Sequence, residues 1–145
     1  SRGGVRATLH GIDACAPAVA DARRRLGARA DVEHADALTL AGDGRRFDLV
    51  MMLEVLEHLP DPAAMLPILE QLTRRHVLLS VPWEPMFRGL NLLRGKNVRA
   101  WGNDPEHLQH WSRRGFLRFV EQRFEILAAP PVAPWTLVLA QRRAG

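Results

Sequence analysis

The 145-residue sequence predicts an α/β chain built on a doubly wound, mostly parallel sheet that closes in an antiparallel hairpin. Three observations predict it. Apolar runs of strand length alternate with stretches of helical period. Acidic residues follow several of those runs directly, where a strand would leave its sheet and where ligands of such sheets bind. The last two β-prone segments are joined by a Pro-rich turn, which suits a hairpin.

The elements follow in order. Residues 5–12, "VRATLHGI", read as a strand ending at Asp13. In "APAVADARRRLG", Pro17 suits a first helical turn, Val19, Ala22 and Leu26 share a face, and Gly27 can stop the helix. Residues 31–35 form a short strand closing on Asp36. After a polar loop, "FDLVMML" (47–53) is a continuous apolar strand of the kind buried on both faces. Asp61 is a plausible N-cap with Pro62 at the first helical position, and Met65, Leu66, Leu69 and Leu72 supply the buried face. Pro67 inside that helix predicts a kink or a loose first turn. "HVLLSVP" (76–82) is a second two-sided strand. Residues 83–111 hold no period, and so long a segment is more often functional than idle. Ser112 then caps a helix with Phe116, Phe119 and Val120 inward, and "FEILAAPP" and "WTLVLAQRR" form the closing hairpin.

Composition narrows the function classes. A content of 47% hydrophobic and 25% charged residues fits a single soluble globular domain spanning residues 1–145. No apolar run approaches the ~20 residues of a membrane span, and no signal-peptide pattern opens the sequence. The lone Cys15 excludes an internal disulfide framework and makes a cytoplasmic setting the default. The net charge is +4, and all but one of the 20 basic residues are Arg. They fall in scattered pairs and triplets at element ends rather than in one stripe with aromatics, which argues for solvated surface over a nucleic-acid site. Tyr is absent, so no tyrosine serves as acid, base or nucleophile.

The chemistry-bearing stretch is "FDLVMMLEVLEHLPDP" (47–62), where the apolar run breaks into Glu54, Glu57 and His58. Their i, i+3, i+4 spacing could place all three on one face of a helical turn. Together with "LHGIDACAPAVADARRRL", "VEHADAL", "LLSVP" and "HLQHWSRRGFLRFVEQRFEIL", this stretch resembles the class I S-adenosylmethionine-dependent methyltransferases. The nearest likeness is to the small-molecule group that includes the ubiquinone and biotin-pathway enzymes.

The resemblance implies a Rossmann-like sheet, S-adenosylmethionine as cofactor and a small-molecule acceptor. By the same resemblance Asp13 binds the two ribose hydroxyls. Asp36 takes the adenine amine while Ala37 and Leu38 hold its ring, and Leu53 and Glu54 lie beside the methionine moiety. His58, His107 and His110 are the candidates for proton removal or substrate orientation. Some relatives hold a divalent metal with the Glu-x-x-Glu-His pattern, whereas many use Glu-His to fix the loop and line the substrate pocket; no metal is assigned. Residues 83–111, with Trp83, Phe87, Trp101 and Trp111, are expected to form a substrate-side lid.

The sequence departs from the family at one point. The Gly-rich loop and its strand, which precede the Asp13 strand in relatives, have no counterpart; "SRGG" (1–4) looks like the end of the helix after that loop. "GDG" (42–44) precedes a strand instead of joining a strand to a helix. The fold is therefore expected to lack its first strand and helix here. An upstream segment of the natural protein is expected to supply them, or a second copy by swapping, as a homodimer. Two other readings stay open: a non-catalytic methyltransferase-like scaffold, and an RNA methyltransferase.

Overall fold

The computed structural model describes residues 7–42, 44–83 and 111–143. They fall into two units, one up to Ala41 and one from Gly42 onward. Among the described residues no helix is long and apolar enough to cross a membrane.

The first unit is a βαβ element. Strand β1 (His10–Asp13) pairs in parallel with β2 (Asp31–His34), from His10 opposite Asp31 to Asp13 opposite His34. Helix α1 (Ala16–Leu26) makes the crossover, and its Val19 and the strand's Val32 are the buried apolar side chains. Gly27 ends α1 as expected, at a positive φ of 54° with its N–H donating to the Arg23 carbonyl. Arg23 also ties helix to strand, its Nε donating to the Val32 carbonyl at 2.7 Å. Asp21 meets Arg24 and Arg25 one turn on, at 2.9 and 2.6 Å, on the solvated face. Among the described residues, which start at residue 7, the strand expected over 5–12 begins at His10. Residues 27–29 form a 3-10 turn, so β2 offers no partner before Asp31, and the ladder starts where both chains are extended.

The second unit is an α/β sheet in the order β3-β4-β7-β5, with a short β6 added beside β7. Strand β3 (Phe47–Leu53) runs parallel to β4 (Thr73–Pro82), placing Leu53 opposite Ser80. The closing strands β5 (Phe124–Ala128) and β7 (Trp135–Arg142) are antiparallel to each other as expected, and β7 inserts between β5 and β4. A two-residue strand β6 (Pro131–Val132), not foreseen, folds the Pro-rich connection onto the start of β7.

One face of this sheet is dry. Met52, Val77, Leu79, Val81, Val138 and Ala140 are buried there. Helix α2 (Met65–Leu72) packs on β3 and β4, and helix α3 (Arg113–Glu121) on β5 and β7. Met65, Leu66, Leu69 and Leu72 point inward from α2, and Phe116, Phe119 and Val120 from α3, all as the periodicity predicts. The expectation that 47–53 is buried on both faces does not hold: Leu49, Met51 and Leu53 are 42–55% exposed. The two helices cover only the face of Met52. Among the described residues β3 is bonded to β4 alone and β1 to β2 alone.

Local signals decide the helix starts. The Asp61 carboxylate accepts from the Ala63 N–H at 3.0 Å, and Pro62 opens a 3-10 turn that leads into α2. The expected loose first turn is this one. Pro67 falls within the first turn of α2, where backbone N–H groups lack intrahelical partners, so its missing donor takes no bond from the helix. Strand β4 starts at Thr73, three residues before the expected His76, directly out of α2.

Ser112 caps α3, its Oγ accepting from the Gly115 N–H at 3.1 Å. Ser112→Ala is expected to cost about 1 kcal/mol. Urea unfolding monitored by circular dichroism measures it, and a midpoint equal to the parent's would show the cap to be idle.

Candidate functional site

In the first unit two aspartates stand at the carboxyl ends of neighbouring parallel strands and are built alike. The Asp13 Oδ1 accepts from the backbone N–H of Cys15 at 2.7 Å, turning the chain into α1. The Asp36 Oδ1 accepts from the N–H of Leu38 at 2.9 Å, starting the 3-10 turn Ala37–Leu40. Each carboxylate thus spends one oxygen on its own turn. The other carries no protein hydrogen bond among the described residues, and both side chains are exposed. Two further bonds brace the turn after Asp13: His34 Nε2 lies 3.0 Å from the Ala14 carbonyl, and the Ala35 N–H donates to the Asp13 carbonyl at 3.2 Å. The element can therefore hold two fixed acceptors out to a ligand. Leu38, 36% exposed, offers an apolar surface next to Asp36.

In the second unit the residues after β3 separate. Glu54 does not join a helical turn with Glu57 and His58, as the spacing suggested. Its backbone sits at a positive φ of 56°, outside the 3-10 turn Leu56–His58. Glu57 is 1% exposed and turned into the core, whereas His58 is exposed. The single shared face therefore does not form, because the chain leaves the strand through a left-handed residue. Among the described residues no three His, Cys, Asp or Glu side chains gather as a metal-holding group.

Glu54 is instead clasped by the sheet. Its N–H donates to the Ser80 carbonyl at 3.2 Å, and the Ser80 hydroxyl donates to its Oε1 at 2.6 Å. Its Oε2 accepts from the Trp135 indole Nε1 at 2.8 Å. One carboxylate thus joins the ends of β3, β4 and β7. Sequence reasoning missed Ser80 and Trp135. A buried hydroxyl in the apolar run "VLLSVP" needs a partner and was the available signal for Ser80; Trp135 gave none.

Trp111 packs on α3, with ring centroids 5.5 Å from Phe116 and 4.9 Å from Phe119, so it anchors the aromatic core. Trp83 is half-buried, its N–H donating to the Pro134 carbonyl at 2.8 Å. The rest of the expected lid, with Phe87, Trp101, His107 and His110, lies outside the described residues, as do residues 1–4 and Asp43.

Residues 3–126 match the sequence family described as a methyltransferase domain. The chain belongs to that family. Solved structures agree on the fold of this methyltransferase domain. The magnesium protoporphyrin IX methyltransferase of Synechocystis PCC 6803, solved with bound SAH, superposes with a TM-score of 0.72 at 20% identity, over 94% of this chain and 65% of its own. The N-methyltransferase NodS of Bradyrhizobium japonicum WM9, in complex with S-adenosyl-L-homocysteine, gives 0.68 at 15% identity over 94% and 67%. The small RNA methyltransferase HEN1 gives 0.74 at 15% identity over 94% and 20%. The methyltransferase domain described here thus spans about 65% of the length of the first of these enzymes. No curated protein shows significant sequence similarity to it.

Proposed function

We propose that the chain binds S-adenosylmethionine and transfers its methyl group to a small-molecule acceptor. The observation that carries this reading is the matched pair Asp13 and Asp36: consecutive strand ends, each with one oxygen fixed by its own turn and one left to a ligand. These residues fit the cofactor. Asp13 accepts from the ribose hydroxyls. Asp36 accepts from the adenine amine, with Ala37 and Leu38 against the ring. Leu53 and the clasped Glu54 are the second unit's candidates for the methionine moiety.

The cofactor, when bound, supplies an electrophilic methyl group. The chain's own work is then to align the acceptor with it, exclude water and remove a proton where the acceptor carries one. His58 is exposed just beyond the Glu54 turn and serves as the group that accepts that proton or orients the acceptor. His107 and His110 are the further candidates. A small acceptor is supported by the scattered arginines and by neighbours such as the protoporphyrin methyltransferase.

Calorimetric titration of the full-length protein with S-adenosylhomocysteine tests the reading. Saturable one-to-one binding in the micromolar range is expected. Absence of heat, in a protein folded by circular dichroism, would leave a methyltransferase-like scaffold.

A further inference from the structure

Trp135 is the residue that the cofactor reading does not use and the fold nevertheless fixes in place. It begins β7, at the same end of the sheet as the carboxyl ends of β3 and β4, because β7 runs antiparallel to β4 with Trp135 opposite Pro82. That end is where sheets of this kind bind their ligands. Paired residues lie on one face, and alternate residues of a strand share it. The pairs Leu53–Ser80, Pro82–Trp135 and Val132–Trp135 therefore put Leu53, Ser80, Pro82, Trp135 and Val132 on the same face.

Two features of Trp135 stand against each other. Its indole nitrogen is held at 2.8 Å by a carboxylate that Ser80 holds in turn. Yet the side chain is 42% exposed, with Leu53 at 42% and Val132 at 41% beside the same strand ends. A large ring held in one orientation with two-fifths of its surface exposed forgoes part of the burial a core would give it. The arrangement suits an occupant that covers the ring: the indole is already immobilised, so stacking on it costs little further ordering.

We infer that Trp135 is a specificity-determining residue, whose anchored indole forms a wall of the acceptor site and selects planar, ring-bearing acceptors over saturated ones of the same size. This rests on the methyltransferase reading for the word acceptor, but the ring preference can be measured apart from it.

The probes are 2-naphthol and its saturated counterpart decahydro-2-naphthol, titrated into the full-length ¹⁵N-labelled protein with and without S-adenosylhomocysteine. Each tryptophan contributes one indole N–H signal, and the one absent from Trp135→Phe is that of Trp135. The expected result is that this signal moves with 2-naphthol, which binds roughly five- to tenfold tighter than the saturated alcohol. Trp135→Phe, which keeps a ring but not its anchor, should keep only part of the preference. Trp135→Leu should lose it while keeping the parent's circular dichroism spectrum, which shows that the fold is retained. A Trp135 signal that stays still while others move, or a ring preference that survives in folded Trp135→Leu, overturns the inference. Failure of S-adenosylhomocysteine to bind while the Trp135 signal responds to 2-naphthol would overturn the methyltransferase reading and leave the ring site standing.

Discussion

Glu54→Ala is expected to destabilise the protein by about 2–3 kcal/mol, and Glu54→Gln by about 1 kcal/mol. The difference follows from the two donors that meet the carboxylate. In the Ala variant the Ser80 hydroxyl is left buried without its acceptor, a loss of about 1–3 kcal/mol. The Trp135 N–H is solvent-accessible and recovers most of its bond from water. Gln fares better because a serine hydroxyl can accept as well as donate, whereas an indole N–H only donates. The amide oxygen turns to Trp135 and the amide nitrogen to Ser80, so both contacts survive in weaker, uncharged form. Parallel urea denaturation of the three proteins provides the measurement. An Ala variant as stable as the parent would show that the clasp contributes nothing. The left-handed backbone at Glu54 works in the opposite direction, with a strain of about 1 kcal/mol that the clasp must offset.

Asp13→Asn is expected to weaken S-adenosylhomocysteine binding by about 10- to 100-fold and to leave the unliganded protein's melting temperature nearly unchanged. Asn keeps the oxygen that accepts from the Cys15 N–H, so the turn into α1 is preserved. What changes is the outward position, where a charged acceptor becomes an amide donor toward the ribose hydroxyls that the proposed function assigns to it. Hydrogen bonds to a charged group contribute about 1.5–3 kcal/mol, which sets the range. Asp13→Ala should lose both the ligand and part of the turn, and so lower the melting temperature as well. The contrast separates the two jobs of one side chain. Equal affinity in the Asn variant and the parent would place the ribose elsewhere.

How much of this was legible in the sequence depended on how local each cause was. Caps act within three residues, so Ser112, Asp61 and the stop at Gly27 could be read from their neighbours alone. The buried faces of α2 and α3 followed from helical spacing for the same reason. The two-sided burial of 47–53 was misread because a strand's letters do not say what lies on each of its faces. "FDLVMML" is apolar on both, and only one is covered. The onset of β1 was set by where β2 begins, a fact that lies some twenty residues away in the chain. Of the candidate residues, Asp13 and Asp36 stand at strand ends, where the reading of strands and their acidic followers put them. The grouping of Glu54, Glu57 and His58 failed because helical spacing presumes a helix, and the left-handed Glu54 breaks it. Left-handed backbone is signalled by Gly or Asn, seldom by Glu. Trp135 could not have been tied to Glu54, since that bond joins residues 81 apart and needs the register of three strands.

The placement of β7 between β4 and β5 bears on how the chain is made. Synthesis delivers β4 and then residues 83–134 before the strand that both neighbours need. Until Trp135–Arg142 has left the ribosome, β4 and β5 each present a bare row of amides and carbonyls along edges that are interior in the finished sheet. The dry face of Val77, Leu79 and Val81 has helix α2 from early on, whereas α3 and β5 have nothing to join them to it until β7 is in place. The antiparallel half of the second unit therefore closes last. A stalled or prematurely terminated chain would carry two adhesive edges that the finished sheet closes.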